Sequence, residues 1–136
     1  MTADELSTLP FFSGLSAEER ERVAPCTRRD VVPAGLMITT LGERGDDTFY
    51  VVEDGHAHVE FGKHRLGELG PGDFFGEIAL VDGDHWRTAS VLAATTMHLL
   101  TVSDGACRRL LQDNPVLAQQ LEDAARERLA RTPSHW

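Results

Sequence analysis

The sequence predicts a mainly β fold with flanking helices: an eight-stranded antiparallel jelly roll (double-stranded β-helix) with an N-terminal helix and two C-terminal helices. Three observations carry that expectation. Between about Thr27 and Val102 short apolar-rich runs alternate with glycine turns, the spacing of an antiparallel sandwich or barrel. Before this region Ser16 and Glu19 stand at capping-box distance at the head of a charged helical run. After it, Asn114-Pro115 opens a long segment whose apolar residues recur with a 3.6 period.

In chain order, residues from about 9 to 26 form the N-terminal helical part, with Leu9-Pro-Phe-Phe-Ser-Gly-Leu-Ser leading into Ala17-Glu-Glu-Arg-Glu-Arg-Val-Ala. Strands are expected at Arg29 to Val32, Met37 to Thr40, Thr48 to Glu53, His56 to Phe61, Arg65 to Leu69, Thr88 to Ala93 and Met97 to Val102, so that the β-roll occupies about 27 to 102. Asp54-Gly55 is the strongest hairpin signal, because this pair suits the primed turns that join tightly paired strands. Gly62 and Lys63 are expected to make the next turn. Within the roll, the interval from Phe74 to Trp86 interrupts the strands with a turn and a loop. Helices occupy about 103 to 131: a short one from Ser103 to Gln112, then a second, capped by Asn114, from Pro115 to about Arg131. On the latter, Leu117, Leu121, Ala124 and Arg128 fall in one narrow stripe, so an arginine continues a line of core-facing residues.

Composition fits a single domain over residues 1–136. The chain has 136 residues, 41% of them hydrophobic, and six prolines, which suffices for one core and leaves no room for a second domain of usual size. Its net charge of -9 and single lysine argue against nucleic-acid binding, which needs clustered cations. The pairs Arg28-Arg29 and Arg108-Arg109 lack interleaved aromatics and read as solvated faces. No apolar run approaches the roughly 18 residues of a membrane span, and the acidic start lacks the features of a signal peptide, so a cytoplasmic protein without a membrane partner is expected. Cys26 and Cys107 lie far apart with no Cys-x-x-Cys spacing and are expected to be reduced, serving packing rather than redox or metal chemistry.

The stretch from Phe74 to Val91 carries the chemistry. Gly76 lets the backbone approach a ligand, and the free N–H groups at the start of the following turn, about Ile78 and Ala79, form an anion seat. Arg87 is in phase with Ala89, Val91 and Ala93, so a regular strand starts its guanidinium on the side of small apolar residues. A planar guanidinium there suits a phosphodiester with one charge and two free oxygens. Glu77 beside a phosphate needs a hydroxyl donor of its own. Taken singly, Gly76-Glu77 is also an ordinary helix start and Arg87 an ordinary surface charge; the combination at this spacing is what points to a ligand.

That combination, Phe75-Gly76-Glu77-Ile78-Ala79-Leu80 with Arg87-Thr88-Ala89-Ser90-Val91, resembles the phosphate-binding cassette of the cyclic-nucleotide-binding domain family, whose members include the cyclic AMP receptor protein-like sensors. The resemblance runs from about Leu9 to Arg131. It implies a regulatory sensor, not an enzyme, that takes a cyclic mononucleotide as ligand and no cofactor: cyclic AMP (cAMP) by default, with cyclic GMP (cGMP) left open by Thr88. The implied ligand-binding residues are Gly76, Glu77 (for the ribose 2'-hydroxyl), Ile78, Ala79, Arg87, Thr88, Ala89 and Arg128. The last helix closes on the purine in this family, so Arg128 either reaches over the base or stabilises its helix C-terminus. Val59 and Phe61 are candidates for the wall under the base, with ordinary core the favoured reading. Asp82 and Asp84 add negative potential near the phosphate entrance, while His85 and Trp86 flank the arginine.

No output domain follows the last helix in this sequence. A stand-alone sensor without a DNA-binding domain is therefore expected to signal to a protein partner, or by self-association, through movement of the C-terminal helix. Two rivals remain: a degenerate domain that serves as a protein-interaction scaffold without ligand, and a cupin-like metal enzyme using His56, His58 and His64. The cupin spacing matches poorly, since Gly62-Lys63 stands where a glutamate is required. His56 and His58 read instead as exposed hairpin residues.

Overall fold

Each of the expected runs contributes a strand. In a computed structural model, which describes residues 2–39, 49–61, 64–75, 90–102, 109–110 and 113–131, eight strands form two four-stranded sheets. They are β1 (Thr27–Val32), β2 (Met37–Thr39), β3 (Phe49–Asp54), β4 (Ala57–Phe61), β5 (His64–Leu69), β6 (Phe74–Phe75), β7 (Ser90–Ala93) and β8 (Met97–Val102). One sheet has the order β1-β8-β3-β6 and the other β2-β7-β4-β5, with every pairing antiparallel. The jelly-roll expectation is met.

The two sheets enclose Val52, Ala57, Leu69, Phe75, Val91, Ala93, Met97 and Leu99. A second core lies on the outer side of the first sheet, where Phe49, Val51, Leu100 and Val102 meet Leu6, Phe11, Phe12, Leu15, Leu117 and Leu121 of the helical segments. Leu99 and Leu100 are adjacent, point to opposite faces as strand neighbours must, and are both fully buried. β8 is thus apolar on both sides because helices cover one of them.

The helical layer consists of α1 (Ala3–Ser7), a 3-10 turn (Pro10–Gly14), α2 (Ala17–Val23), a second 3-10 turn (Ala24–Cys26) and α3 (Pro115–Arg131). Ser16 caps α2 with the reciprocal Glu19 bond expected of it. α1 precedes the segment in which an N-terminal helix was expected, yet its signal is in the sequence: Thr2 and Glu5 form the same capping box and Leu6 is fully buried. Arg109, Leu110 and Asp113 are helical, while the rest of the predicted Ser103–Gln112 helix lies outside the described residues. Among the described residues no helix is long and apolar enough to cross a membrane.

Two expectations fail. Asp54-Gly55 does not close a hairpin: β3 and β4 belong to different sheets, so this turn is a corner between them. Gly55 has φ +91°, and a Cβ there would lie 2.4 Å from the Thr96 carbonyl oxygen. The reason is a second corner, from β7 to β8, stacked against the first. Ala94 N–H donates to the His56 carbonyl at 2.9 Å, and the His56 N–H donates to the Thr95 hydroxyl at 3.0 Å. The tight hairpin is the next one, where Phe61 pairs with His64.

The second failure concerns the thiols. Cys26 is disulfide-bonded rather than reduced. Distance along the chain argued against pairing, but the β1–β8 ladder sets Thr27 opposite Val102 and so brings remote parts of the chain together.

Candidate functional site

The cassette itself, with Gly76, Glu77, Ile78, Ala79, Arg87, Thr88 and Ala89, lies outside the described residues, and so does the side chain of Arg128 on α3. The structure does describe both of its anchors, and they lie in different sheets. The chain enters from β6 at the edge of the first sheet and returns as β7, an inner strand of the second.

The entrance is fixed from three directions. Gly72 N–H donates to the Val52 carbonyl at 2.9 Å, and Val52 N–H donates to the Asp73 carbonyl at 2.8 Å, so β3 holds the turn that precedes β6. The Asp73 carboxylate accepts from Gly70 N–H at 2.8 Å and closes that turn on itself. Phe74 and Phe75 then point to opposite sides. Phe74 joins Phe11 and Phe49 in the helix-side core, with ring centroids 5.0 and 5.7 Å away. Phe75 turns into the sandwich and stacks on Tyr50, centroids 4.6 Å apart and planes within 9°. Two opposed aromatics thus pin the backbone at the last described residues before the cassette. Tyr50 was not among the sequence candidates; its signal is the cross-strand pairing with Phe75, which the sequence does not reveal.

The exit is equally defined. Val91 and Ala93 face the interior and are buried, whereas Ser90 and Leu92 point outward and are half-buried. Val59 on the neighbouring strand pairs with Val91 and is partly buried against the same cluster, in keeping with a core residue. Ala93 is held by the turn before β2, accepting from Gly35 N–H at 2.7 Å and donating to the Leu36 carbonyl at 2.9 Å.

The last helix is capped as its sequence implies, the Asn114 side-chain oxygen accepting from Val116 N–H at 3.0 Å and Leu117 N–H at 3.1 Å. The stripe Leu117, Leu121, Ala124 faces the core, with both leucines fully buried and Ala124 half-buried. The Asn114 amide nitrogen also donates to the Gly14 carbonyl and to both Glu19 carboxylate oxygens, each at 3.2 Å. One residue thereby caps α3 and ties it to the N-terminal helices.

Charges outside the cassette depart from the simple surface picture. Arg29 bridges Glu5 of α1 at 2.5 Å and Glu53 of β3 at 3.3 Å, so it fastens α1 to the first sheet and is not a merely solvated cation. The carboxylates, Glu53 foremost, raise its pKa. His58, expected to be an exposed hairpin residue, is half-buried on β4, with Nδ1 3.6 Å from Glu68, its register partner on β5. His56 is exposed, and the side chain of His64 lies outside the described residues. Among the described residues no group of three or more His, Cys, Asp or Glu side chains is placed to hold a metal ion.

Comparison with known proteins agrees with this frame. The sequence model of the cyclic nucleotide-binding domain matches residues 29–114. A cyclic nucleotide-gated potassium channel of Mesorhizobium japonicum is 37% identical over 123 residues, which cover 90% of this chain and 34% of the channel. A cAMP-dependent protein kinase regulatory subunit of Yarrowia lipolytica is 38% identical over 118 residues, covering 82% of this chain and 29% of the subunit. The chain thus spans about a third of the length of the curated relatives it matches. Among solved structures, the regulatory domain of Toxoplasma gondii PKA with cAMP superposes with a TM-score of 0.75 at 28% identity, over 93% of this chain and 49% of that one. From sequence and fold together, the chain belongs to the cyclic nucleotide-binding domain family.

Proposed function

We propose that this domain binds a cyclic mononucleotide, cAMP by default with cGMP open, as a regulatory module and not an enzyme. The observation that carries the reading is the orientation of β7. Val91 and Ala93 face the interior of the sandwich, and Arg87 and Ala89 share their period-2 phase, so a regular continuation directs the guanidinium inward, where a phosphate is the partner it needs. Gly76 follows the pinned Phe75 and opens the anion seat, with the Ile78 and Ala79 amides on the phosphate, Glu77 on the ribose hydroxyl and Thr88 as a further hydroxyl at the phosphate. The cyclic nucleotide-gated channel and the cAMP-dependent kinase subunits among the relatives support this choice of ligand class.

Signalling proceeds by population shift: nucleotide favours docking of α3 over the base, with Arg128 above it, and a protein partner or a second copy reads the position of that helix. The firm packing of Leu117 and Leu121 supports a helix with a defined docked state. The module is read as one domain over residues 1–136, working in the cytoplasm. Calorimetric titration of the chain with cAMP and with cGMP tests the site. Arg87→Ala should weaken binding by ~100-fold or more, because it leaves the buried phosphate without its charge partner. Unchanged affinity in that variant would overturn the assignment, and no heat with either nucleotide would favour the scaffold reading. A stoichiometric metal that survives dialysis would instead favour the enzyme reading through His56, His58 and His64.

A further inference from the structure

β1 is an edge strand: it pairs with β8 on one side, and among the described residues nothing pairs with the other. The ladder decides which of its backbone groups face the open side. On β3, Val52 stands opposite Leu99, yet its N–H and carbonyl both bond to the turn before β6. Val52 and Leu99 therefore exchange no hydrogen bonds, and the backbone groups of Leu99 turn the other way, to Asp30 of β1. By the same alternation Arg28 and Val32 bond to β8, while Arg29 and Val31 direct N–H and carbonyl outward. The Thr101 hydroxyl donates to the Arg28 carbonyl at 3.4 Å, as a carbonyl turned toward β8 requires. Side chains divide in the same rhythm. Arg29 lies opposite Leu100 on the helix side, where it holds Glu5 and Glu53. Arg28 and Asp30 lie opposite Thr101 and Leu99 on the sandwich side and are exposed. Val31 is 62% exposed, more than any other large apolar residue among those described.

We propose that this edge receives a second copy of the chain, the two β1 strands pairing antiparallel about a two-fold axis at Arg29 so that the first sheets of both copies become continuous. A two-fold axis normal to the sheet keeps each face on its own side, so opposed residues must share a face. That leaves few registers. Centring on Arg28 or on Asp30 sets that residue against itself, in the closely spaced kind of pair where like charges cost most. Centring on Val31 sets Arg29 against Pro33, which has no N–H to give. Centred on Arg29, the register opposes Arg28 to Asp30 of the second copy and Asp30 to its Arg28, and the two Arg29 residues exchange their outward backbone bonds. Two arginine side chains meet at the axis, but each is already matched by Glu5 and Glu53. Val31 comes to lie opposite Thr27 of the second copy. Charge on an edge strand ordinarily wards off a neighbour. Here opposite signs two residues apart on one face complement themselves in the antiparallel direction, and that complementarity selects a second copy over an unrelated strand. Among the described residues neither Arg28 nor Asp30 has another ion-pair partner.

The contact stands on β1 and does not depend on the cyclic-nucleotide reading. Sedimentation equilibrium of the full chain, at concentrations up to about 1 mM, should show a monomer–dimer equilibrium that weakens with added salt, as exposed ion pairs do. Arg28→Asp and Asp30→Arg should each weaken dimerisation about 10-fold or more, since each opposes like charges at both crossings. Mixed in equal amounts, the two variants should associate with the affinity of the parent, because each then meets the charge it lacks. The double variant, Arg28→Asp with Asp30→Arg, should also dimerise as the parent does. Amide exchange at Arg29 should slow as the protein concentration rises, while that at Asp30, already bonded to β8, should not change. A parent that stays monomeric, single variants that dimerise like the parent, or a mixture that stays monomeric would each overturn the proposal. A monomeric parent whose Arg29 amide is protected by a synthetic uncharged peptide of alternating threonine and valine would assign the edge to a different chain and likewise overturn the second copy.

Discussion

Asn114 and Glu19 are joined by two hydrogen bonds of 3.2 Å across 95 positions of sequence, and each is at the same time part of a helix cap. Glu19 completes the capping box of α2, while Asn114 caps α3. Both ends of the chain are therefore fastened at one buried point, and the two helices cannot part without breaking a cap bond or leaving a buried amide unpaired.

Asn114→Ala should lose about 2–3 kcal/mol of stability, since it removes the cap and strips Glu19 and Gly14 of a donor. Asn114→Asp keeps the capping oxygen but sets a second carboxylate against Glu19. It should therefore be destabilised near neutral pH and recover in part as the pH falls. Urea unfolding of the two variants at pH 7 and pH 4.5 separates the lost cap from the introduced repulsion.

Acid should loosen both helical ties. Glu19 is held below the ordinary glutamate value of 4.5 by the Ser16 N–H and then by the Asn114 amide, and Glu5 by the Thr2 N–H and hydroxyl with Arg29 adding to them. A carboxyl whose folded pKa is depressed stabilises the fold above its unfolded pKa, and that contribution is lost as the pH falls through the folded value. The urea midpoint should hold steady from neutral pH to about 5 and decline below ~4.5. Glu19→Gln should flatten that decline and lower the midpoint at neutral pH; an unaltered profile would count against Glu19 as its source.

Gly55→Ala should cost about 2–4 kcal/mol, because it combines a positive φ with a Cβ pressed on the Thr96 carbonyl. Gly72→Ala has the same φ of +91° but open space around it and should cost only about 1–2 kcal/mol. Thermal unfolding of the pair isolates the steric contact between the two stacked corners.

Tyr50→Leu breaks the stack on Phe75 and should lower stability by about 1–2 kcal/mol. The chain has a single tyrosine beside two tryptophans, so the difference in near-ultraviolet circular dichroism between parent and variant isolates the contribution of that ring. Since Gly76 follows Phe75, the same substitution should weaken cyclic-nucleotide binding in calorimetric titration, and an affinity equal to that of the parent would show that the stack does not position the cassette.

The strand train, the capped helices and the inward phase of Val91 and Ala93 were all legible, because each rests on a local rule: period-2 alternation, a side-chain oxygen three residues from an N–H, a proline at the first helical turn. α1 was equally legible in Thr2-x-x-Glu5 and went unread. The residues of the cassette stand out by type and spacing and lie outside the described residues. Tyr50 was invisible because nothing near it in sequence announces Phe75 as its neighbour.

Gly55 marks the boundary between the two kinds of information. Its identity predicts a left-handed backbone turn, and the turn is there, but the strands on either side choose partners elsewhere. Alternation along a strand says which side chains face inward and not which strand lies alongside, since many pairings satisfy the same backbone bonds; burial shared across the whole sandwich makes that selection. The same holds for Asn114 and Glu19. Each cap is written in a few adjacent residues, but their mutual bond depends on two remote segments packing over one core.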